Sequence, residues 1–277
     1  MSRPRLKAPA GTCDTAMHFY NDRYPSAPTA LFTPPNAWID DYIRMCARVG
    51  IERTIVVQPT VYGFDNRCTM DAVAALGPAR ARAIVVVDTS VTDAELDRLT
   101  RGGACGVRFQ MFPGGVLPWE VIETMAARIQ PFGWHIQLQM DGRLLPEREA
   151  LIRRLPGTLV IDHTGKFIEP VPVDDPAFRI LLNLLDTGRT WVKVAAPYET
   201  SKVGPPGYED VGILARALIK AAPDRVVWAS NWPHPNSPPR VPAPDEGALL
   251  DLLLDWAPDD STRRKILADN PASLYGF

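Results

Sequence analysis

Short apolar runs rich in β-branched residues alternate with amphipathic segments along the whole chain. The apolar runs predict β-strands at residues 12–18, 54–60, 82–88, 106–111, 135–141, 159–163, 191–196 and 226–231. The segments between and after them repeat apolar positions at helical spacing, and they predict helices at 38–49, 66–76, 92–101, 119–131, 175–186, 209–222, 248–256 and 261–269. No internal repeat interrupts this alternation.

The alternation favours parallel strands that are joined by helical crossovers. Eight such units within 277 residues predict an α/β protein, a (β/α)8 TIM barrel that forms one domain over residues 1–277. A doubly wound open sheet is the alternative, but no glycine-rich phosphate-binding turn follows the first strand. Proline clusters at 25–35, 170–176 and 233–244 predict long ordered loops.

Charge and composition argue against a nucleic-acid-binding, membrane-spanning or secreted protein. A formal net charge of -2 predicts no binding to nucleic acid or to an anionic membrane surface. No apolar run approaches the roughly 20 residues that span a bilayer, and residues 1–10 lack the apolar core of a secretory signal. The 4 cysteines show no Cys-x-x-Cys spacing, so we expect reduced thiols in a cytoplasmic protein.

Polar residues stand at the predicted strand ends, where a barrel of this kind collects its reacting groups. These residues are His18, Gln58, Asp88, Arg108, Gln139, Asp162, His163, Lys193, Asn231 and His234. Since the middles of the same strands are apolar, we expect the polar ends to meet in one site.

Histidines are the natural proton carriers near neutral pH, and three of the 4 in this chain follow strand ends. A single histidine often satisfies only a local hydrogen bond. Convergence of His18 and His163 at one mouth of a barrel favours a functional role for that pair. His135 opens its strand at the opposite end, so we expect it to be structural.

A metal site would begin with a His-x-His pair, because residues two apart on a strand point the same way. Ala16 stands at the partner position of His18, and Asn231 offers an amide where a carboxylate is expected. Asp14 or Asp162 would still leave the ligand set incomplete. The sequence therefore predicts no metal and no other cofactor.

Cationic residues indicate an anionic substrate. Arg108 ends the fourth predicted strand, and Lys166 follows His163. Each is a candidate to bind a carboxylate of the substrate, and the alternative for each is a salt bridge at the rim of the barrel. Lys193 stands mid-strand, as a candidate buried partner of an acid. The segment 198–200 adds a tyrosine, a carboxylate and a threonine after the seventh strand.

Several motifs together resemble the amidohydrolase superfamily, in its amidohydrolase-related branch, along nearly the whole chain. They lie at 14–18, 56–58, 65–66, 106–109, 162–166, 228–234 and 269–271. Within that branch the chain is similar to 2-pyrone-4,6-dicarboxylate hydrolases and galactarolactone isomerases. The resemblance implies a distorted (β/α)8 barrel that acts on carboxylated lactones without a bound metal.

The resemblance also implies a site formed by His18, Arg108, His163, Lys166 and Asn231. Hydrolases of this type carry an aspartate at the position of Asn231 and usually keep both histidines of the first strand. Segments 198–201 and 230–232 are closer to the isomerases, whereas 106–109 and 235–236 are closer to the hydrolases. Hydrolysis and ring migration therefore both stay open.

We expect a metal-independent lactone-processing enzyme with a histidine proton shuttle, either His18 or His163, and with Asn231 supporting the oxyanion. The predicted substrate-binding residues are Gln58, Arg108, Gln139, Lys166, Tyr198 and His234. The partner is a small anionic lactone or carboxylate, and the loop at 25–35 is the candidate contact in a homo-oligomer. The alternatives are a metal-dependent hydrolase or decarboxylase of the same superfamily and an inactive barrel that binds a small acid.

Overall fold

A sheet of 8 parallel strands, paired in the order β1 to β8, confirms the predicted barrel. The computed structural model describes residues 3–235 and 243–277. The strands are β1 (Cys13–Met17), β2 (Arg53–Val57), β3 (Ala81–Val85), β4 (Ala104–Gln110), β5 (His135–Gln139), β6 (Leu159–Ile161), β7 (Thr190–Ala195) and β8 (Val226–Ala229). Most end two or three residues before their predicted limits. Arg108, Gln139 and Lys193 lie within strands, whereas the other polar residues of the predicted strand ends belong to the loops that follow.

Seven helices cover the outside of the strands, one after each of β1 to β7. They are α1 (Ile39–Val49), α2 (Arg67–Leu76), α3 (Asp93–Arg101), α4 (Ile122–Ile129), α5 (Leu145–Arg154), α6 (Pro176–Asp186) and α7 (Glu209–Ala221). Helix α5 was not predicted. Its buried residues are Leu145 and Ile152, which is too few to give a clear helical pattern.

The chain after β8 forms short helices instead of the two that were predicted. These are α8 (Glu246–Asp251), α9 (Leu253–Trp256), α10 (Asp260–Arg264), a π-helical turn (Lys265–Asp269) and α11 (Asn270–Tyr275). The predicted loops at 25–35 and 170–175 are present, and Pro176 begins α6. Most of the predicted loop at 233–244 lies outside the described residues.

Side chains alternate between the barrel interior and the layer of helices, as the pleat of a strand requires. In β2, Ile55 and Val57 pack with Cys13 and Ile84 in one cluster, whereas Val56 belongs to the larger core against the helices. Across the two described stretches of chain, no helix is both long and apolar enough to cross a membrane.

The junction between β8 and β1 is held by side chains as well as by main chain. The buried carboxylate of Asp14 accepts hydrogen bonds from the main-chain N–H of Ser230 (2.8 Å), from the Ser230 hydroxyl and from the Tyr42 hydroxyl (3.0 Å). Thr15 Oγ1 donates to the carbonyl of Trp228 at 2.8 Å. These bonds close the barrel where the regular ladder ends.

Main-chain bonds continue this junction beyond the strand ends. The N–H of Asn231 donates to the carbonyl of Ala16 at 2.9 Å, and the N–H of His18 donates to the carbonyl of Trp232 at 2.8 Å. The first and last candidate catalytic residues are therefore fixed to each other by the closure of the barrel.

We predict that Asp14→Ala destabilises the protein by about 3 kcal/mol, because it leaves several buried donors without an acceptor. The control is Asp259→Ala, which removes an exposed N-cap that accepts from Thr262 N–H and should cost about 1 kcal/mol. Urea unfolding followed by circular dichroism measures both losses. An Asp14 variant that is no less stable than the Asp259 variant would contradict this account of the junction.

Candidate active site

One cavity of about 160 Å³ opens at the C-terminal ends of the strands and gathers most of the predicted site residues. Its polar lining consists of His18, Thr60, Arg108, Gln110, Gln139, His163, Lys166, Glu199 and Asn231. Its less polar wall consists of Tyr20, Leu31, Phe32, Pro59, Pro113 and Pro235. The loop at 25–35 thus covers part of the site.

The ring of His18 is held in a single tautomer. Its Nδ1 lies 2.8 Å from the carbonyl oxygen of Val57, and since a carbonyl can only accept, Nδ1 carries the proton. Burial, with a contribution from the Arg108 cation, lowers the pKa of His18 to about 3. The imidazole is therefore neutral at pH 7, and Nε2 keeps its lone pair for the cavity.

His163 is the second neutral imidazole on the wall. Burial lowers its pKa to about 4, although the Glu199 carboxylate acts in the opposite direction. Its Nδ1 is buried and has no hydrogen-bond partner among the residues that the structure describes. A buried N–H without a partner is rarer and more costly than an unused acceptor. We therefore place the proton of the neutral ring on Nε2.

Arg108 supplies a fixed positive charge to the cavity. Its Nη1 donates to the main-chain carbonyl of Gln58 at 2.9 Å, and its Nη2 donates to Oε1 of Gln139 at 2.6 Å. Burial lowers the pKa of the guanidinium, but the group stays ionised at pH 7. Each Nη has a further hydrogen that can bind an anionic oxygen.

The side chain of Gln58, which was predicted to bind substrate, does not line the cavity. Its Nε2 donates to the carbonyls of Gly63 (3.1 Å) and Asp65 (2.9 Å), and its Oε1 accepts from Thr69. Gln58 therefore orders the loop after β2 and reaches the site only through its main-chain carbonyl. Asp88 is likewise outside the cavity, where it accepts from Ser90.

A left-handed turn after β6 carries two of the lining residues. The φ angles of His163, Thr164, Gly165 and Lys166 are 52°, 57°, 80° and 45°. For a residue other than glycine this conformation costs roughly 1–2 kcal/mol. Such strain is often kept at functional sites, where surrounding contacts compensate for it. Here the Lys166 N–H donates to the His163 carbonyl at 2.8 Å.

Glu199 belongs to the site although it was not among the predicted site residues. One carboxylate oxygen forms a partly buried ion pair with Lys166, and the other accepts from Asn231 Nδ2 at 2.9 Å. Lys166 Nζ also lies 5.2 Å from the ring centroid of Phe112. The sequence indicated only that a carboxylate follows the seventh strand.

The amide of Asn231 is oriented by two acceptors. Its Nδ2 donates to Glu199 Oε1 and to the hydroxyl of Tyr198, both at 2.9 Å. Because an amide NH₂ has two hydrogens, both are used, and Oδ1 is left as an acceptor. The expected support of an oxyanion by Asn231 would need one of these hydrogens to leave its present acceptor.

Tyr198 and His234 lie behind Asn231 and do not line the cavity, although both were predicted to bind substrate. The Tyr198 hydroxyl is 2.9 Å from His234 Nδ1, and His234 Nε2 is 3.2 Å from Glu246 Oε1. Burial opposes ionisation of Glu246, but His234 and Arg48 hold the pKa of its carboxyl below the usual value. This chain of polar groups positions Asn231.

The barrel interior does not fit a divalent metal. The fully buried ammonium of Lys193 lies 2.8 Å from the Thr15 carbonyl, 2.7 Å from Gln137 Oε1 and 3.3 Å from Asp162 Oδ1. It therefore pairs with the acid that a metal would need, as its mid-strand position suggested. Within residues 3–235 and 243–277, no three His, Cys, Asp or Glu side chains are placed to hold a metal ion.

Comparison with known proteins gives a family match and full-length relatives. A family model described as amidohydrolase matches residues 13–277. The D-galactarolactone isomerase of Agrobacterium fabrum is 34% identical over 274 residues, covering 98% of this chain and 93% of that protein. The 2-pyrone-4,6-dicarboxylate hydrolase of Comamonas testosteroni is 35% identical over 286 residues, covering 99% and 93%. An apo crystal structure from Agrobacterium tumefaciens has a TM-score of 0.95 at 33% identity, covering 100% of this chain and 98% of that one.

We predict that the protein loses stability as the pH falls from about 6.5 to 4, and that His163 contributes to the loss. In this range the unfolded chain binds a proton at this imidazole and the folded chain does not. Since one proton changes the slope by about 1.4 kcal/mol per pH unit, His163→Gln should make the slope shallower by that amount. Urea unfolding at several pH values measures it, and an unchanged slope would mean that His163 is charged in the folded protein.

Proposed function

The chain belongs to the amidohydrolase family, and on that premise we propose that it is an enzyme which performs acyl transfer on a small carboxylated lactone without a bound metal. The names of the two relatives, a galactarolactone isomerase and a pyrone dicarboxylate hydrolase, support the substrate class. The observation that carries the proposal is the neutral His18 ring, whose unprotonated Nε2 is left for a cavity that also contains the Arg108 cation.

Arg108 binds the carboxylate of the substrate in this proposal. Its free Nη hydrogens offer a charge-assisted pair of hydrogen bonds to one anionic group. Gln139 and the Gln58 carbonyl fix the plane of the guanidinium, so the lactone is anchored at a defined distance from the two imidazoles. Such anchoring lowers the entropic cost of bringing the reacting atoms together.

His18 acts as the general base and His163 as a hydrogen-bond donor. His18 Nε2 removes the proton of the attacking hydroxyl as its oxygen bonds to the lactone carbonyl carbon. The carbonyl oxygen becomes an oxyanion, which the Nε2–H of His163 stabilises. The ring C–O bond then breaks, and protonated His18 returns its proton to the leaving oxygen.

Asn231 favours ring migration over hydrolysis. Its Oδ1 can accept a hydrogen bond from a hydroxyl, but an amide cannot remove a proton. It therefore orients a nucleophile that His18 deprotonates. A hydroxyl of the substrate itself satisfies this arrangement, and Leu31, Phe32 and Pro113 reduce the space for water. Hydrolysis, with water in place of that hydroxyl, is the second candidate.

Substitution of the two histidines by alanine or glutamine separates their roles. We predict that His18→Ala and His163→Ala each reduce kcat by about 10²–10⁴-fold. His163→Gln should recover at least about tenfold over His163→Ala, since a glutamine amide still donates, whereas His18→Gln should recover nothing because an amide is not a base. Steady-state kinetics on a lactone substrate provides the readout.

His135→Gln is the matched control for these variants. His135 is a buried histidine at the opposite barrel end, 5.6 Å from Tyr275 between ring centroids, and its substitution should leave kcat within about twofold. Recovery by His18→Gln but not by His163→Gln would reverse the two roles. Full activity in either alanine variant would remove that residue from the mechanism.

A lactone panel in ¹⁸O-labelled water distinguishes the two reactions. Ring migration gives an isomer with no label, whereas hydrolysis places one ¹⁸O in the new carboxylate, and NMR with mass spectrometry detects both. We predict an unlabelled isomer from a lactone that carries a free hydroxyl.

A parallel sample that is dialysed against a chelator should keep its turnover, because the side chains of the barrel interior do not fit a metal. Loss of turnover that added zinc restores would support the metal-dependent alternative.

A further inference from the structure

The charges of the described residues on the cavity wall partly offset one another. Among the described lining residues, those that carry a formal charge at pH 7 are Arg108, Lys166 and Glu199. Both imidazoles on the wall are neutral there, because burial lowers the pKa of His18 to about 3 and that of His163 to about 4. The lining therefore holds two positive charges and one negative charge.

Glu199 is placed where its charge cancels that of Lys166. The two groups form an ion pair in which the side chains are 14% (Lys166) and 13% (Glu199) exposed. The carboxylate is fixed further by the hydrogen bond from Asn231 Nδ2 at 2.9 Å. Because the two opposite charges are in contact, their effects on a ligand in the cavity largely cancel.

The charges beneath the cavity also cancel. The ammonium of Lys193 and the carboxylate of Asp162, 3.3 Å apart, form an ion pair that is buried in the barrel interior. Arg108 is therefore the cation that the described lining leaves unbalanced. A single anionic group on a ligand can pair with Arg108, whereas a second one beside Lys166 would also face the carboxylate of Glu199.

We propose that Glu199 is a specificity-determining residue: by neutralising Lys166, it selects lactones with one carboxylate and discriminates against lactones with two. The proposal rests on the proposed function, since it concerns the substrate of the same cavity. Discrimination of this kind works by like-charge repulsion and by the cost of an unpaired charge in a desolvated site. Lys166 without its partner would become a second anion-binding group.

The test compares the binding of two ring acids that are not lactones, benzoate with one carboxylate and isophthalate with two. Calorimetry at pH 7.5 should show that the wild-type protein binds benzoate at least tenfold more tightly than isophthalate. Glu199→Gln keeps an oxygen that accepts from Asn231 but removes the charge. In this variant the preference should move towards isophthalate by at least tenfold.

Two further variants separate charge from shape. Lys166→Met/Glu199→Gln removes both charges and should restore the preference for benzoate. Glu169→Gln removes an exposed carboxylate that pairs with Lys202 at 2.9 Å, and it should leave the ratio within twofold. The same ratio in wild type and Glu199→Gln would overturn the proposal, as would a double variant that keeps the preference of Glu199→Gln.

Kinetics then extend the test to substrates. The ratio of kcat/KM for a galactarolactone with one carboxylate to that for 2-pyrone-4,6-dicarboxylate should fall at least tenfold in Glu199→Gln. If the wild-type protein turns over no lactone, the proposed function fails, and the benzoate and isophthalate affinities still decide the role of Glu199. An unchanged kinetic ratio in an active enzyme would overturn that role alone.

Discussion

The carboxylate of Asp14 connects the two ends of the barrel, and the position of the candidate catalytic residues depends on it. It accepts hydrogen bonds from Ser230 and Tyr42, and the main chains beyond it tie Asn231 to Ala16 and His18 to Trp232. Without this junction, the first and last strands would be free edges of a sheet. Residues more than two hundred positions apart are therefore brought to one wall by a set of hydrogen bonds centred on a side chain that does not line the cavity.

Burial determines the charge of each group at this wall. Removal from water disfavours the charged form, so both imidazoles lose their protons, whereas the guanidinium of Arg108 keeps its charge. Charges that would be costly alone are paired, as Lys193 is with Asp162 and Lys166 is with Glu199. Within the described part of the chain, desolvation and pairing thus leave two neutral imidazoles and the Arg108 cation at this wall.

The sequence predicted the architecture well, because period-two and helical patterns report burial directly. It also placed His18, Arg108 and His163 in one site, since the ends of parallel strands must converge. It did not separate the side chains that line the cavity from those of Gln58, Tyr198 and His234, because strand position does not tell which way a side chain turns in the loop. The orientation of the Asn231 amide depends on Glu199 and Tyr198, which are contacts between loops that no local pattern encodes.

The partner that fixes the proton of His18 is the main-chain carbonyl of Val57. Since every amino acid brings the same carbonyl, no substitution at position 57 removes this acceptor while strand β2 keeps its course. In many enzymes that orienting role falls to a carboxylate side chain, which a single mutation can delete. Here the acceptor is part of the backbone, so the side chains around the cavity can change without altering the tautomer of His18.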